Sequence, residues 1–165
     1  MPESAVFAPG SLALESQPLG RLTPPTLDLS ALSAAIASFE DSLDVVGDAA
    51  WFAAQSPRVQ NTLMAGVIQN FEFVYEIGFK MIRRRLDLDS ASPGDIDGLN
   101  FRDILRIAGE TGLVDDVPAW FEYRTMRNIT AHTYDHEKAR QIYLGALKFR
   151  GDARQLLTRL EARDG

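Results

Sequence analysis

Apolar residues recur along this chain at steps of three and four, the period of helices that bury one face. Leu29, Leu32, Ile36, Phe39, Leu43 and Val46 form the first such stripe, with Asp28 or Ser30 placed to cap its first turn. A long second helix is predicted from about Ser56 to Leu88, with Pro57 tolerated in its first turn. Its inner face is marked by Leu63, Val67, Phe71, Val74, Gly78 and Met81, and the polar stretch Asp87 to Gly98 follows as a loop. A third helix is predicted over about Asn100 to Thr111, with Phe101, Ile104, Leu105 and Ala108 inward and Gly112 as its stop. A fourth begins near Asp116, capped by Asp115 or Asp116, with Pro118 in its first turn, and carries Trp120, Tyr123 and Met126–Arg127. The last runs from about Asp135 to Glu161. No stretch sustains a two-residue alternation. The expected fold class is therefore all-α, an antiparallel up-and-down bundle of four to five helices over residues 27–165. Residues 1–26 hold five of the eight prolines and no helical period, so they are expected to form a passive N-terminal extension.

Composition narrows the chemistry. With 165 residues the chain suits one domain with a single core, and 45% apolar and 24% charged residues are ordinary for a soluble globular protein. It has no cysteine, which removes disulfides, thiolate metal sites and cysteine nucleophiles. No apolar run approaches the roughly 18–20 residues that span a bilayer, and the start does not resemble a signal peptide. A cytoplasmic protein with no membrane contact is the expectation. The net charge of −6 argues against a general nucleic-acid coat, although it leaves room for a local basic site. Of the 17 basic residues only Lys80, Lys138 and Lys148 are lysines. That bias toward arginine is compatible with phosphate binding but carries little weight alone.

Both histidines, His132 and His136, lie in one short stretch between the fourth and fifth helices. With Asp135 and Glu137 they superficially suggest a metal site, but no third histidine and no HExxH pattern exist, so no metal is expected. There is no GxSxG, no GxGxxG and no phosphate-binding loop of the GxxxxGK type. The carboxylates between Asp87 and Asp97 read as a solvated turn. What remains is Arg127, Asn128, His132 and Tyr134. Such a set suits cleavage of RNA without metal or other cofactor. A histidine near its ordinary pKa can move a proton from a 2′-hydroxyl or to a leaving oxygen. An arginine can bind the phosphate and offset charge in the transition state, while an asparagine orients either. On an unbroken helix position 132 stands about 140° around from position 127. The two can meet one phosphate only if the helix unwinds near Thr130–Asp135, or if a second subunit supplies one of them. Taken alone the short match is weak. Arg127 paired with a core-edge carboxylate and His132 capping the fourth helix is the better account of that fragment alone.

A longer context carries more. The run WFEYRTMRNITAHTYDHEKARQIY, Trp120 to Tyr143, resembles the signature of the HEPN proteins encoded beside minimal nucleotidyltransferases, a family also described as nucleotidyltransferase substrate-binding proteins. Its pattern of Arg, four residues, His, one residue, Tyr falls here on Arg127, His132 and Tyr134, with Asn128 as the polar residue after the arginine. VIQNFEFVYEIGFKMIRRRL (Val67–Leu86) and ILRIAGETGLVDD (Ile104–Asp116) are similar too, so the resemblance covers roughly Leu29 to Phe149. It implies a HEPN-like bundle, a symmetric homodimer with the two Arg–His segments facing across a groove, and metal-independent ribonuclease activity. It further implies a toxin of a type VII-like toxin–antitoxin pair, neutralised by a cognate minimal nucleotidyltransferase that adenylylates Tyr134. Bulk and negative charge added there would stand where the RNA phosphate must sit. The alternative is a non-catalytic substrate-binding subunit of the nucleotidyltransferase. Glu72, Glu76 and Lys80 are spaced as an ion-pair ladder on the second helix, or as groove-lining residues near the motif. Arg83, Arg84 and Arg85 suit the helix end or an RNA contact, and Trp51 and Trp120 suit a core or a dimer interface.

Overall fold

A computed structural model describes residues 25–92, 94–132 and 135–164. Among these residues the secondary structure is helical throughout, in six α-helices and one 3₁₀ turn. Helix α1 (Ser30–Gly47) buries Leu32, Ile36, Phe39, Leu43 and Val46, the stripe that the spacing predicts. Neither candidate is the cap residue, which is Leu29 without a side-chain cap bond, although Asp28 Oδ1, one residue earlier, accepts from the backbone N–H of Ser30 at 3.0 Å. Helix α2 (Ala49–Ala53) is an addition. It is a single turn whose N-cap Asp48 accepts from the N–H of Trp51, and it is too short to show a period. Trp51 on it is 45% exposed and so stands outside the core, whereas Trp120 is 2% exposed.

Helix α3 (Pro57–Asp89) is the spine, 33 residues long with Ser56 as its N-cap. Helix α4 (Phe101–Glu110) is capped by Asn100, which accepts from the N–H of Asp103. It ends where Gly112 takes a positive φ of 76°, a conformation that the missing Cβ makes cheap. Helix α5 (Val117–Ile129) takes Asp116 rather than Asp115 as its cap, the carboxylate accepting from the N–H of Ala119 at 2.9 Å. A 3₁₀ turn at Thr130–His132 follows, and helix α6 (His136–Asp164) closes the chain. The proline-rich extension expected over residues 1–26 lies outside the described residues except for Pro25 and Thr26.

Cross-helix contacts fix the directions. Glu40 and Asp44 of α1 meet Arg154 and Arg150 of α6 in reverse order, so those helices are antiparallel. Tyr123 of α5 meets Asp152 of α6, and Asp115, just before α5, meets Arg159, again in reverse order. Arg85 near the end of α3 pairs with Asp164 at the end of α6, so these two run the same way. The four long helices α1, α3, α5 and α6 thus alternate in direction, with α4 laid beside α3. Phe149 is the hub of the core, its ring centre 5.2 Å from that of Phe71, 5.6 Å from Trp120 and 4.7 Å from Tyr123. Fully buried aromatics at these separations contribute both area and edge-to-face attraction. No helix among the described residues is long and apolar enough to cross a membrane.

Candidate functional site

The helical period of α5 stops at Ile129, two residues after Arg127, and the backbone tightens into the 3₁₀ turn that contains Thr130 and position 132. The unwinding falls between Arg127 and position 132. Arg127 itself reaches across to α3. Its Nε and Nη2 donate to Glu76 Oε1 at 2.7 and 2.5 Å, and Nη1 lies 3.2 Å from Glu72 Oε1. The planar fork of a guanidinium suits such shared recognition. The hydrogen bonds that it donates to Glu76, and the charge of both carboxylates, hold the guanidinium above even its ordinary, always protonated range.

Thr130 completes the arrangement. Its hydroxyl donates to Glu72 Oε1, lies 2.8 Å from the carbonyl of Arg127, and accepts from Arg127 Nη1 at 3.4 Å. At 5% exposure it is the one buried polar residue among those described. Sequence alone gives Thr130 no role, and its position three residues after Arg127 at the break is the only signal it leaves.

The ladder expected along Glu72, Glu76 and Lys80 is not what forms. Both carboxylates turn to Arg127 on a neighbouring helix, where a guanidinium can engage two of them at once. Lys80 instead lines a shallow cleft with Arg83, Arg84, Asp87 and Asp97. Glu72 and Glu76 lie beside Arg127 of the motif. The arginine triplet divides: Arg85 bonds Asp89 and Asp164, Arg83 lies 3.7 Å from Asp97, and Arg84 has no carboxylate partner among the described residues.

Asn128 sits on a different face from Arg127. It is exposed and lines a cleft between α4 and α5 with Arg124 and Arg102. His136 opens α6 and lines another cleft, of about 390 Å³, with Asn61, Arg140 and Tyr143. Tyr134 and the side chain of His132 lie outside the described residues. Among those described, no three carboxylates or histidines gather as a metal site would need.

Comparison with known proteins places this geometry in a family. Residues 27–162 match the family model described as nucleotidyltransferase substrate binding protein like. A Haemophilus influenzae protein named Probable ribonuclease HepT is 45% identical over 138 residues, which is 84% of this chain and 94% of that protein. A solved Haemophilus influenzae structure, described as revealing the fold of a substrate binding domain of a nucleotidyltransferase, superposes with a TM-score of 0.79 at 45% identity. It covers 81% of this chain and 99% of its own. A crystal structure from Thermus thermophilus shares the fold at a TM-score of 0.61 and 22% identity, over 78% of this chain and 98% of that one. With the matched region running from just before α1 almost to the end of α6, the chain belongs to the nucleotidyltransferase substrate-binding protein family.

Proposed function

We propose that this protein is a HEPN-type toxin, a metal-independent endoribonuclease neutralised by a nucleotidyltransferase that adenylylates Tyr134. The observation that carries the proposal is Arg127, fixed at the end of α5 two residues before the helix gives way inside the Arg-x4-His segment. The name of the 45% identical relative supports the same activity. In the mechanism His132 moves the proton between the 2′-hydroxyl and the leaving oxygen. Arg127 binds the phosphate and stabilises its developing charge, and Asn128, on the next face of α5, orients the adjoining part of the RNA. Glu72 and Glu76 position Arg127. Glu76 is more exposed than Glu72, and it is the carboxylate that yields when a phosphate arrives. A homodimer brings two such segments to one groove.

The test is cleavage of RNA by the purified chain in the presence of a chelator. Wild type is expected to cut. His132→Ala and Arg127→Ala are expected to lose about 10²–10⁴-fold in rate with their helical circular dichroism intact. Uncut RNA with wild-type protein overturns the proposal. Co-expression with the nucleotidyltransferase is expected to add AMP mass to the peptide containing Tyr134, and to no other.

One observation favours a second reading, a non-catalytic substrate-binding subunit. Two carboxylates flank the single positive charge of Arg127, leaving the cluster net negative until one of them moves. That reading predicts a stable complex with the nucleotidyltransferase and no cleavage by the chain alone.

A further inference from the structure

Phe121, Arg124, Thr125 and Asn128 stand three, four and seven positions along from the first on α5, so they form one wall of a cleft. Asn100, Phe101 and Arg102, at the start of α4, form the other. Its volume is about 450 Å³, within the range of small-ligand sites. The guanidinium of Arg124 stands 4.0 Å from the ring centre of Phe101, and that of Arg102 stands 5.3 Å from the ring centre of Phe121. The rings are themselves braced. Phe101 meets Phe121 at 5.8 Å, and Phe79 of α3 meets Phe101 at 4.9 Å.

Stacking on a ring uses the face of a guanidinium and leaves its edge N–H groups available. Neither Arg102 nor Arg124 has a carboxylate partner among the described residues, whereas eight other arginines are in ion pairs. The neighbouring carboxylate, Asp103, is already engaged by the amide of Asn100 at 2.7 Å and by Arg106 at 3.5 Å. In a chain of net charge −6 this is a preorganised positive site. It lies on the neighbouring face of α5 from Arg127, about 100° round the helix, where Asn128 lines it.

We propose that this cleft holds a nucleotide of single-stranded RNA next to the scissile phosphate. Arg102 and Arg124 take its phosphate oxygens, and Thr125 and Asn128 meet its base or sugar edge. The inference rests on the ribonuclease reading, whose reacting phosphate lies at Arg127. The geometry favours RNA because Arg102 and Arg124, neither with a carboxylate partner among the described residues, line one cleft. Planar guanidinium forks match phosphate oxygens in two-point contact.

The experiment measures binding of an end-labelled single-stranded RNA of mixed sequence to the full chain carrying His132→Ala, so that binding is read apart from cleavage. Arg102→Ala and Arg124→Ala are each expected to weaken binding roughly tenfold. Each is expected to lower the slope of log affinity against log salt by about one. Arg124→Lys, which keeps the charge and the packing stem, falls between. Arg106→Ala, a paired arginine of the same helix, leaves affinity unchanged. Unaltered affinity and slope in the Arg102→Ala/Arg124→Ala double variant, with its circular dichroism intact, overturns the inference. So does a parent protein that does not bind RNA. A double variant that binds RNA normally but no longer binds the nucleotidyltransferase overturns it in favour of a protein dock. If His132-intact protein leaves RNA uncut while the double variant still loses RNA binding, the ribonuclease reading fails and the binding site stands.

Discussion

Two buried tyrosine hydroxyls on facing helices meet different fates. Tyr123 donates to the carboxylate of Asp152, while the hydroxyl of Tyr75 is buried with no hydrogen-bond partner. Burial pushes the Tyr75 phenol up to about 12, with Arg124 and Arg127 pulling the other way. Burial, then the bond to Asp152, drives Tyr123 well above its ordinary range. Removing a bonded hydroxyl and removing an orphaned one have opposite consequences. Tyr123→Phe is expected to lower stability by about 1 kcal/mol or somewhat more, since Asp152 keeps some access to water. Tyr75→Phe is expected to be neutral or to raise stability by up to about 1 kcal/mol. Urea denaturation of the two variants checks the contrast. The sign with pH follows from the raised values. Above the ordinary tyrosine pKa of about 10 the unfolded chain loses protons that the folded one keeps, so stability falls from there toward pH 12. Tyr75→Phe is expected to flatten that alkaline decline. None of this is legible in sequence, where Tyr75 and Tyr123 are simply aromatic positions of a helical stripe. The difference depends on which side chain of another helix lies opposite.

At the scale of the helix, glycines separate propensity from packing. A Cβ added at Gly151, within α6, meets nothing within 4 Å, whereas one added at Gly109, within α4, would lie 2.5 Å from Cγ2 of Val117. Val117 is β-branched and opens α5, so it has little freedom to turn aside. Gly151→Ala is therefore expected to raise stability by about 0.5–1 kcal/mol through helix propensity. Gly109→Ala is expected to lower it by about 1–3 kcal/mol despite the same propensity gain. Thermal or urea unfolding of both variants decides it, and equal gains at the two sites would refute the packing claim. The elements were the legible part of the chain. Long apolar stripes, Asp116 before Pro118 and Gly112 after α4 mark ends that local chemistry determines, and they fall within a few residues of the observed ones. The single-turn α2 has too few residues to display a period. The expected Glu76–Lys80 pair failed because spacing along one helix cannot reveal a competing guanidinium on another.

Under the proposed function, the question for the whole molecule is how Arg127 and His132 come to act on one phosphate. The periodicity already specified the bundle, but the site depended on resemblance, because the pair stand five positions apart and helical spacing alone sets them on different faces. The observed break sharpens the matter. Two α-helical steps from position 127 to Ile129, then three 3₁₀ steps to position 132, carry the backbone about 200° around a continuing axis, compared with about 140° on an unbroken helix. The tighter turn moves position 132 to the far side of the segment from Arg127, which α3 already holds through Glu72 and Glu76. Under the proposed ribonuclease function, a composite site follows, with Arg127 from one protomer and His132 from its partner. Co-expression of differently tagged Arg127→Ala and His132→Ala chains, purified through both tags, yields the mixed dimer. One of its two composite sites then keeps both residues and the other lacks both, so about half the wild-type rate per dimer is expected although each parent variant is inactive. If both residues act within one protomer, every site in the mixed dimer is damaged and no activity returns.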